Sequence, residues 1–87
     1  MYYVYVIVQD VTHNSYVGFS SDLRKRLKQH NAGVGAKRTR KGEWRVAYYE
    51  AFVNESEART REQRLKQDGR AKHQLFKRIE KSLAGQK

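Results

Sequence analysis

Glu62 stands where a carboxylate is least at home. In the segment SEARTREQRLK (Ser56–Lys66), helical spacing puts it on one face with Ala58 and Leu65, the residues that should meet the rest of the protein. Burying an unpaired charge is costly, so a glutamate here calls for a cation, a basic partner or a solvated cleft. The plainer alternative is a glutamate at the stripe's edge. It would pair with Arg61 beside it or with Lys66 four residues on, an interaction of about 0.2–0.5 kcal/mol.

Arg26 and His30 are also four apart, and they stack on one side of a helical segment bordering Leu23 and Leu27. A guanidinium there can hold a phosphate through two hydrogen bonds, and an imidazole can relay a proton. Alternatively, Arg26 lies on the wet face with Arg24, Lys25 and Lys28, and His30 only closes the helix near its negative end. The third group is phenolic. Four tyrosines fall in YYVYVIVQDVTHNSYVGFS (Tyr2–Ser20). Most tyrosines in strands are packing. Yet if the two runs of this segment pair, Tyr5 and Tyr16 lie near each other on one face of a sheet. Gly18, two residues past Tyr16, points to the same side.

These residues need elements to position them. Tyr2–Val8 reads as a strand, with Tyr3, Tyr5 and Ile7 on one face and Tyr2, Val4, Val6 and Val8 on the other. Apolar residues on both faces predict a central strand covered on both sides. Gln9–Ser15 is turn chemistry with His13 and Asn14 at the tip, and Tyr16–Phe19 a short antiparallel partner. Ser20 or Ser21 is expected to cap a helix that runs to about Asn31, with Asp22 suiting the positive end of its dipole. Gly33 and Gly35 break that helix, and GAKRTRKGEW follows as a basic loop. Trp44–Val53 is a third strand that alternates Trp44, Val46 and Tyr48 against Arg45, Ala47 and Tyr49. Asn54 with Glu57 resembles a capping box. Gly69 is expected to end the second helix, and Leu75, Phe76, Ile79 and Leu83 form the stripe of a last one. The order β-β-α-β-α-α predicts an α+β fold, a small three-stranded antiparallel sheet flanked by helices.

Charge points to the partner. The 87 residues carry 19 Lys+Arg against 9 Asp+Glu, a formal net of +10. Residues 1–23 hold only Asp10 and Asp22 and no Lys or Arg, so the remaining chain carries all 19 cations against 7 acids. One basic face suits a polyanion, because Lys and Arg that displace condensed counterions gain affinity. Arg24, Lys25 and Lys28 of the first helix and Lys37, Arg38, Arg40 and Lys41 of the loop are the candidate backbone grips. The alternative is a well-solvated surface. With no cysteine, disulfides and thiolate zinc sites are excluded. No apolar run approaches the ~18 residues of a membrane span, and the start lacks the pattern of a secretory signal. One cytoplasmic, nucleoid-associated domain over 1–83 with a frayed 84–87 tail is expected.

Taken together, these segments resemble the GIY-YIG endonuclease superfamily, and most of all its small stand-alone bacterial members. The resemblance runs from about Tyr2 to Ile79. YVY (Tyr3–Tyr5) stands where the GIY triplet belongs and YVG (Tyr16–Gly18) where YIG belongs. SSDLRKRLKQHNAGVGAKRTR is similar to the family's helix and loop, and SEARTREQRLK to the segment with its metal-binding glutamate. Each triplet alone is weak; five elements in the right order and spacing are a strong signal. Two departures stand out: Tyr3 replaces the first triplet's glycine, and Phe19 follows YVG where some relatives carry a small polar residue or a lysine. The resemblance implies metal-dependent hydrolysis of DNA phosphodiesters, with RNA open, leaving 5′-phosphate and 3′-hydroxyl ends. It implies Tyr5, Tyr16, Arg26, His30 and Glu62 as catalytic residues. Glu62 holds one Mg²⁺ or Mn²⁺, Arg26 neutralises phosphate oxygens, and His30 bonds a tyrosine or a phosphate. Tyr5 or Tyr16 acts on the attacking water. Selectivity for structure rather than sequence, and work in DNA repair or recombination, are expected. The competing reading is a non-catalytic basic module that binds DNA or RNA.

Overall fold

A strand that is apolar on both faces needs two covers, and β1 (Tyr2–Gln9) has them. In the computed structural model, which describes residues 1–33 and 43–85, β1 lies between β2 (Asn14–Ser20) and β3 (Trp44–Phe52). The sheet is antiparallel, of order β2-β1-β3. On one face Val4, Val6 and Val8 join Val17 and pack against Ala58 and Leu65 of α2 (Glu55–Gln67) and Leu75 of α3 (Gly69–Arg78). On the other, Tyr5, Ile7 and Trp44 pack against Leu23 and Leu27 of α1 (Leu23–Asn31). Each fully buried aliphatic side chain contributes about 1.5–3 kcal/mol relative to exposure. The α+β class and the element order are therefore as the sequence predicts. Among the described residues no helix is long and apolar enough to cross a membrane.

Four local expectations are corrected. The α1 cap is Asp22 rather than Ser20 or Ser21: its carboxylate accepts the Lys25 N–H at 3.1 Å. The Ser20 hydroxyl instead binds the Asp22 backbone. Gly69 does not end α2. Asp68, in extended backbone, closes α2 and at once caps α3, accepting the Arg70 and Ala71 N–H groups. The last helix breaks at Ile79 into a one-turn α4 (Glu80–Ala84). Its apolar stripe stays continuous, with Phe76, Ile79 and Leu83 all on the Val4/Val6/Val8 core. Finally, β3 does not alternate evenly. A bulge opposite Val6 and Ile7 inserts Ala47, so Val46 packs with Ile7 while Tyr48 packs on the opposite face.

Two ties set where the helices sit. The Asn31 side chain clamps the start of β3, accepting the Trp44 N–H at 2.6 Å and donating to the Trp44 carbonyl at 3.2 Å. Glu50 on β3 accepts from both Nε and Nη2 of Arg61 on α2, at 2.9–3.1 Å, and from the Tyr48 hydroxyl at 2.6 Å. The Asn54 cap of α2 holds as expected, accepting the Glu57 N–H at 3.1 Å.

Candidate active site

Tyr5 is the centre of the candidate site. The register pairs Tyr5 with Gly18 and Ile7 with Tyr16, so both phenols lie on the face that α1 covers, one diagonal apart. Tyr5 is 1% exposed, and the hydroxyl end of its ring lies against Gly18. A β-carbon on Gly18 would collide with the phenol oxygen and its ring carbon, and would stand 2.9 Å from Tyr16 Cε2. Only glycine lets a strand backbone be approached this closely.

The α1 helix brings two more groups to the phenol. His30, fully buried, places Nε2 2.8 Å from the Tyr5 hydroxyl. Its ring lies 5.9 Å from that of Tyr5 and 5.3 Å from that of Tyr16. The alternative of a histidine that merely ends the helix is excluded by this burial. Arg26, one turn earlier, lies close enough for its charge to favour a Tyr5 phenolate, and it donates from Nη1 to Gln29 Oε1 at 3.0 Å. Its Nε is buried without a hydrogen-bond partner among the described residues, an arrangement that favours an acceptor from outside.

The α2 helix supplies the carboxylate. Glu62 has a side chain only 18% exposed and pairs with Lys66 at 3.1 Å. That is one of the two partners its spacing allows, while Arg61 is taken by Glu50. Lys66 Nζ also stands 5.1 Å from the centre of the Tyr16 ring. The Glu62 charge also disfavours a Tyr5 phenolate, and through Lys66 the carboxylate neighbours the Tyr16 ring.

Electrostatics fix the resting protons. Burial pushes the Tyr5 phenol up to about 12, and Arg26 offsets only part of that rise. Burial, and then the Arg26 charge, holds His30 below the usual histidine range. At neutral pH the pair is therefore a phenol and a neutral imidazole. We assign the phenolic proton to the Tyr5–His30 bond, with His30 Nε2 as its acceptor. At rest the group holds a phenol bonded to an imidazole, not a phenolate.

The remaining candidates divide. Arg24, Lys25 and Lys28 are exposed on α1. Lys25 lines a groove of about 360 Å³ with Ser20, Ser21, Arg26, Gln29 and Phe19. Lys37, Arg38, Arg40 and Lys41 lie outside the described residues. Phe19 turns its ring away toward α2, stacked on Tyr2 at 6.3 Å, with the Arg59 guanidinium 4.2 Å from its centre. Sequence reasoning missed Gln29, whose i, i+3 spacing from Arg26 was the available signal. A roomier groove, about 520 Å³, opens between the β1–β2 hairpin and α3–α4 beside His13, His73 and Phe76. It contains none of the five clustered residues.

The model of the GIY-YIG catalytic domain matches residues 1–77. The chain is 44% identical over 79 residues to a UPF0213 protein of Halobacterium salinarum, covering 87% of this chain and 100% of that one. It is 42% identical over 67 residues to one of Clostridium perfringens, covering 76% and 71%. The solution NMR structure of the UPF0213 protein BH0048 from Bacillus halodurans superposes with a TM-score of 0.53 at 35% identity, covering 88% of this chain and 84% of that one.

Proposed function

The chain belongs to the GIY-YIG nuclease family, and from that premise we propose that it hydrolyses phosphodiester bonds of DNA with the help of one divalent cation. The observation that carries this reading is the gathering of Tyr16, Arg26 and His30 at the buried Tyr5 phenol, where the Glu62 charge is also felt, beside an Arg26 Nε without a partner among the described residues. The donor set fits the ion. Among the described residues no three His, Cys, Asp or Glu side chains converge, and Glu62 is a single, partly exposed carboxylate. One such carboxylate suits Mg²⁺ or Mn²⁺, which keep much of their water, rather than a structural zinc.

When bound at Glu62, the cation would supply charge stabilisation at the scissile phosphate and the leaving oxygen. Arg26 binds the non-bridging oxygens and counters the charge that grows on them. The phenol of Tyr5 takes a proton from the attacking water as its own proton passes to His30 Nε2, so no phenolate is needed beforehand. Tyr16 packs against the His30 ring. The exposed cations of α1 hold the backbone without reading bases, which favours structure over sequence as the basis of selectivity. DNA repair or recombination, beside the nucleoid, is the setting we assign.

The test is a panel of labelled single-stranded, duplex and branched DNAs with Mg²⁺ or Mn²⁺. Glu62→Ala and Tyr5→Phe are each expected to cut at least ~100-fold more slowly while binding at least as well as wild type. Undiminished cutting by Glu62→Ala would sink the mechanism. A second reading, a basic module that binds and never cuts, draws on the Lys66–Glu62 ion pair, which already satisfies the carboxylate. Binding by the wild type with no cutting under either ion would establish it.

A further inference from the structure

The α2 helix lays an alternating row of charges along edge strand β2. Arg59, Glu62 and Lys66 fall at i, i+3 and i+7 and so share one side of the helix. Arg59 stands over Phe19 and Lys66 over Tyr16, so the row runs antiparallel to β2 with Glu62 between them. From Arg59 to Lys66 is about 10 Å of helix axis, the length that about three phosphates of one strand occupy at about 3.4 Å each. Past Lys66 lies a pocket of about 230 Å³ lined by Ser15, Tyr16, Val17, Leu65, Lys66 and Lys72. Two ammonium groups and a hydroxyl border it, and no carboxylate does. Lys72 has no acidic partner among the described residues; its Nζ rides 5.3 Å from the centre of the Phe76 ring. Lys66 is held by Glu62, and that hold fails once the carboxylate is neutralised.

We propose that this pocket seats a phosphate adjacent to the scissile one, with Lys72 and the released Lys66 as its ligands. It rests on the nuclease reading for its ligand, a phosphodiester strand. The strand would run from the Lys25–Arg26 groove past Glu62 to α3. The two lysines thereby extend the backbone grip beyond α1 and couple it to the state of Glu62.

The test measures affinity for a short fluorescein-labelled oligonucleotide, single-stranded and duplex, by anisotropy across a NaCl series in EDTA, where nothing is cut. Lys72→Gln should lower the steepness of log K against log[salt] by about 0.7 on single strands or about 0.9 on duplex. Lys81→Gln, on α4 against the far strand β3, should leave it unchanged. Lys66→Gln should cost little alone and a full contact in a Glu62→Gln background. An unchanged slope for Lys72→Gln, or an equal drop for Lys81→Gln, would overturn the pocket and leave a diffuse positive field. Full binding behaviour without cutting would sink the nuclease reading and keep the pocket; cutting with unaltered slopes would do the reverse.

Discussion

Gly18 has a double duty at the residue scale. It belongs to a strand, where glycine is a poor choice, yet its missing side chain is the space that the Tyr5 phenol fills. Gly18→Ala should cost about 1–3 kcal/mol through overpacking. It should also lift the phenol toward solvent, so its titration falls from about 12 toward the ordinary value near 10. Urea unfolding and NMR of ring-labelled tyrosine check the two parts. His30 carries a pH signature. Its folded pKa lies below the usual 6.5, so over that window the unfolded chain binds the proton more strongly. Stability should then fall as pH drops through about 6.5 and level off below the folded value. Unfolding midpoints followed from about pH 8 to about pH 5 would show this slope, and a flat profile would contradict a buried neutral His30.

At the scale of elements, one carboxylate governs the join between two helices. Asp68 ends α2 and caps α3, whereas its contact with Arg64, at 3.8 Å between exposed side chains, adds little. Asp68→Ala is expected to cost about 1 kcal/mol, a drop of about 4–8 °C in melting temperature for a domain of this size. A larger loss would mean that the α2–α3 angle itself depends on this cap. The elements were legible because their signals are local: two-sided apolarity in β1, the Asn54 cap, the stripe from Leu75 to Leu83. Asp22, Asp68 and the bulge at Ala47 were not. A carboxylate that can cap competes with neighbouring serines or glycine, and the choice is made by backbone geometry. A bulge is set by how β3 must pair with β1, and the β3 sequence alone looks evenly alternating.

For the whole molecule, spacing within one helix revealed that Arg26 and His30 go together and that Glu62 is oddly placed. The meeting of α1, β1, β2 and α2 near Tyr5 followed only from resemblance to a known pattern, since the residues from Tyr5 to Glu62 span about two-thirds of the chain. The burial that holds Tyr5 protonated is likewise a property of the assembled sheet, invisible in any one segment. This assembly divides unevenly. The phenols, Arg26 and His30 ride on the hairpin and α1, but Glu62 and Lys66 ride on α2, which inserts only Ala58 and Leu65 fully into the core. A helix moored by two buried side chains, the Arg61–Glu50 link and two cation–ring contacts at its rim is a candidate for independent release. Heating should therefore silence the proposed cutting before the sheet melts. Amide exchange along Glu55–Gln67 should run ahead of exchange in Tyr2–Gln9, so that the protein's working temperature is set by how long one helix stays docked and not by when the fold collapses.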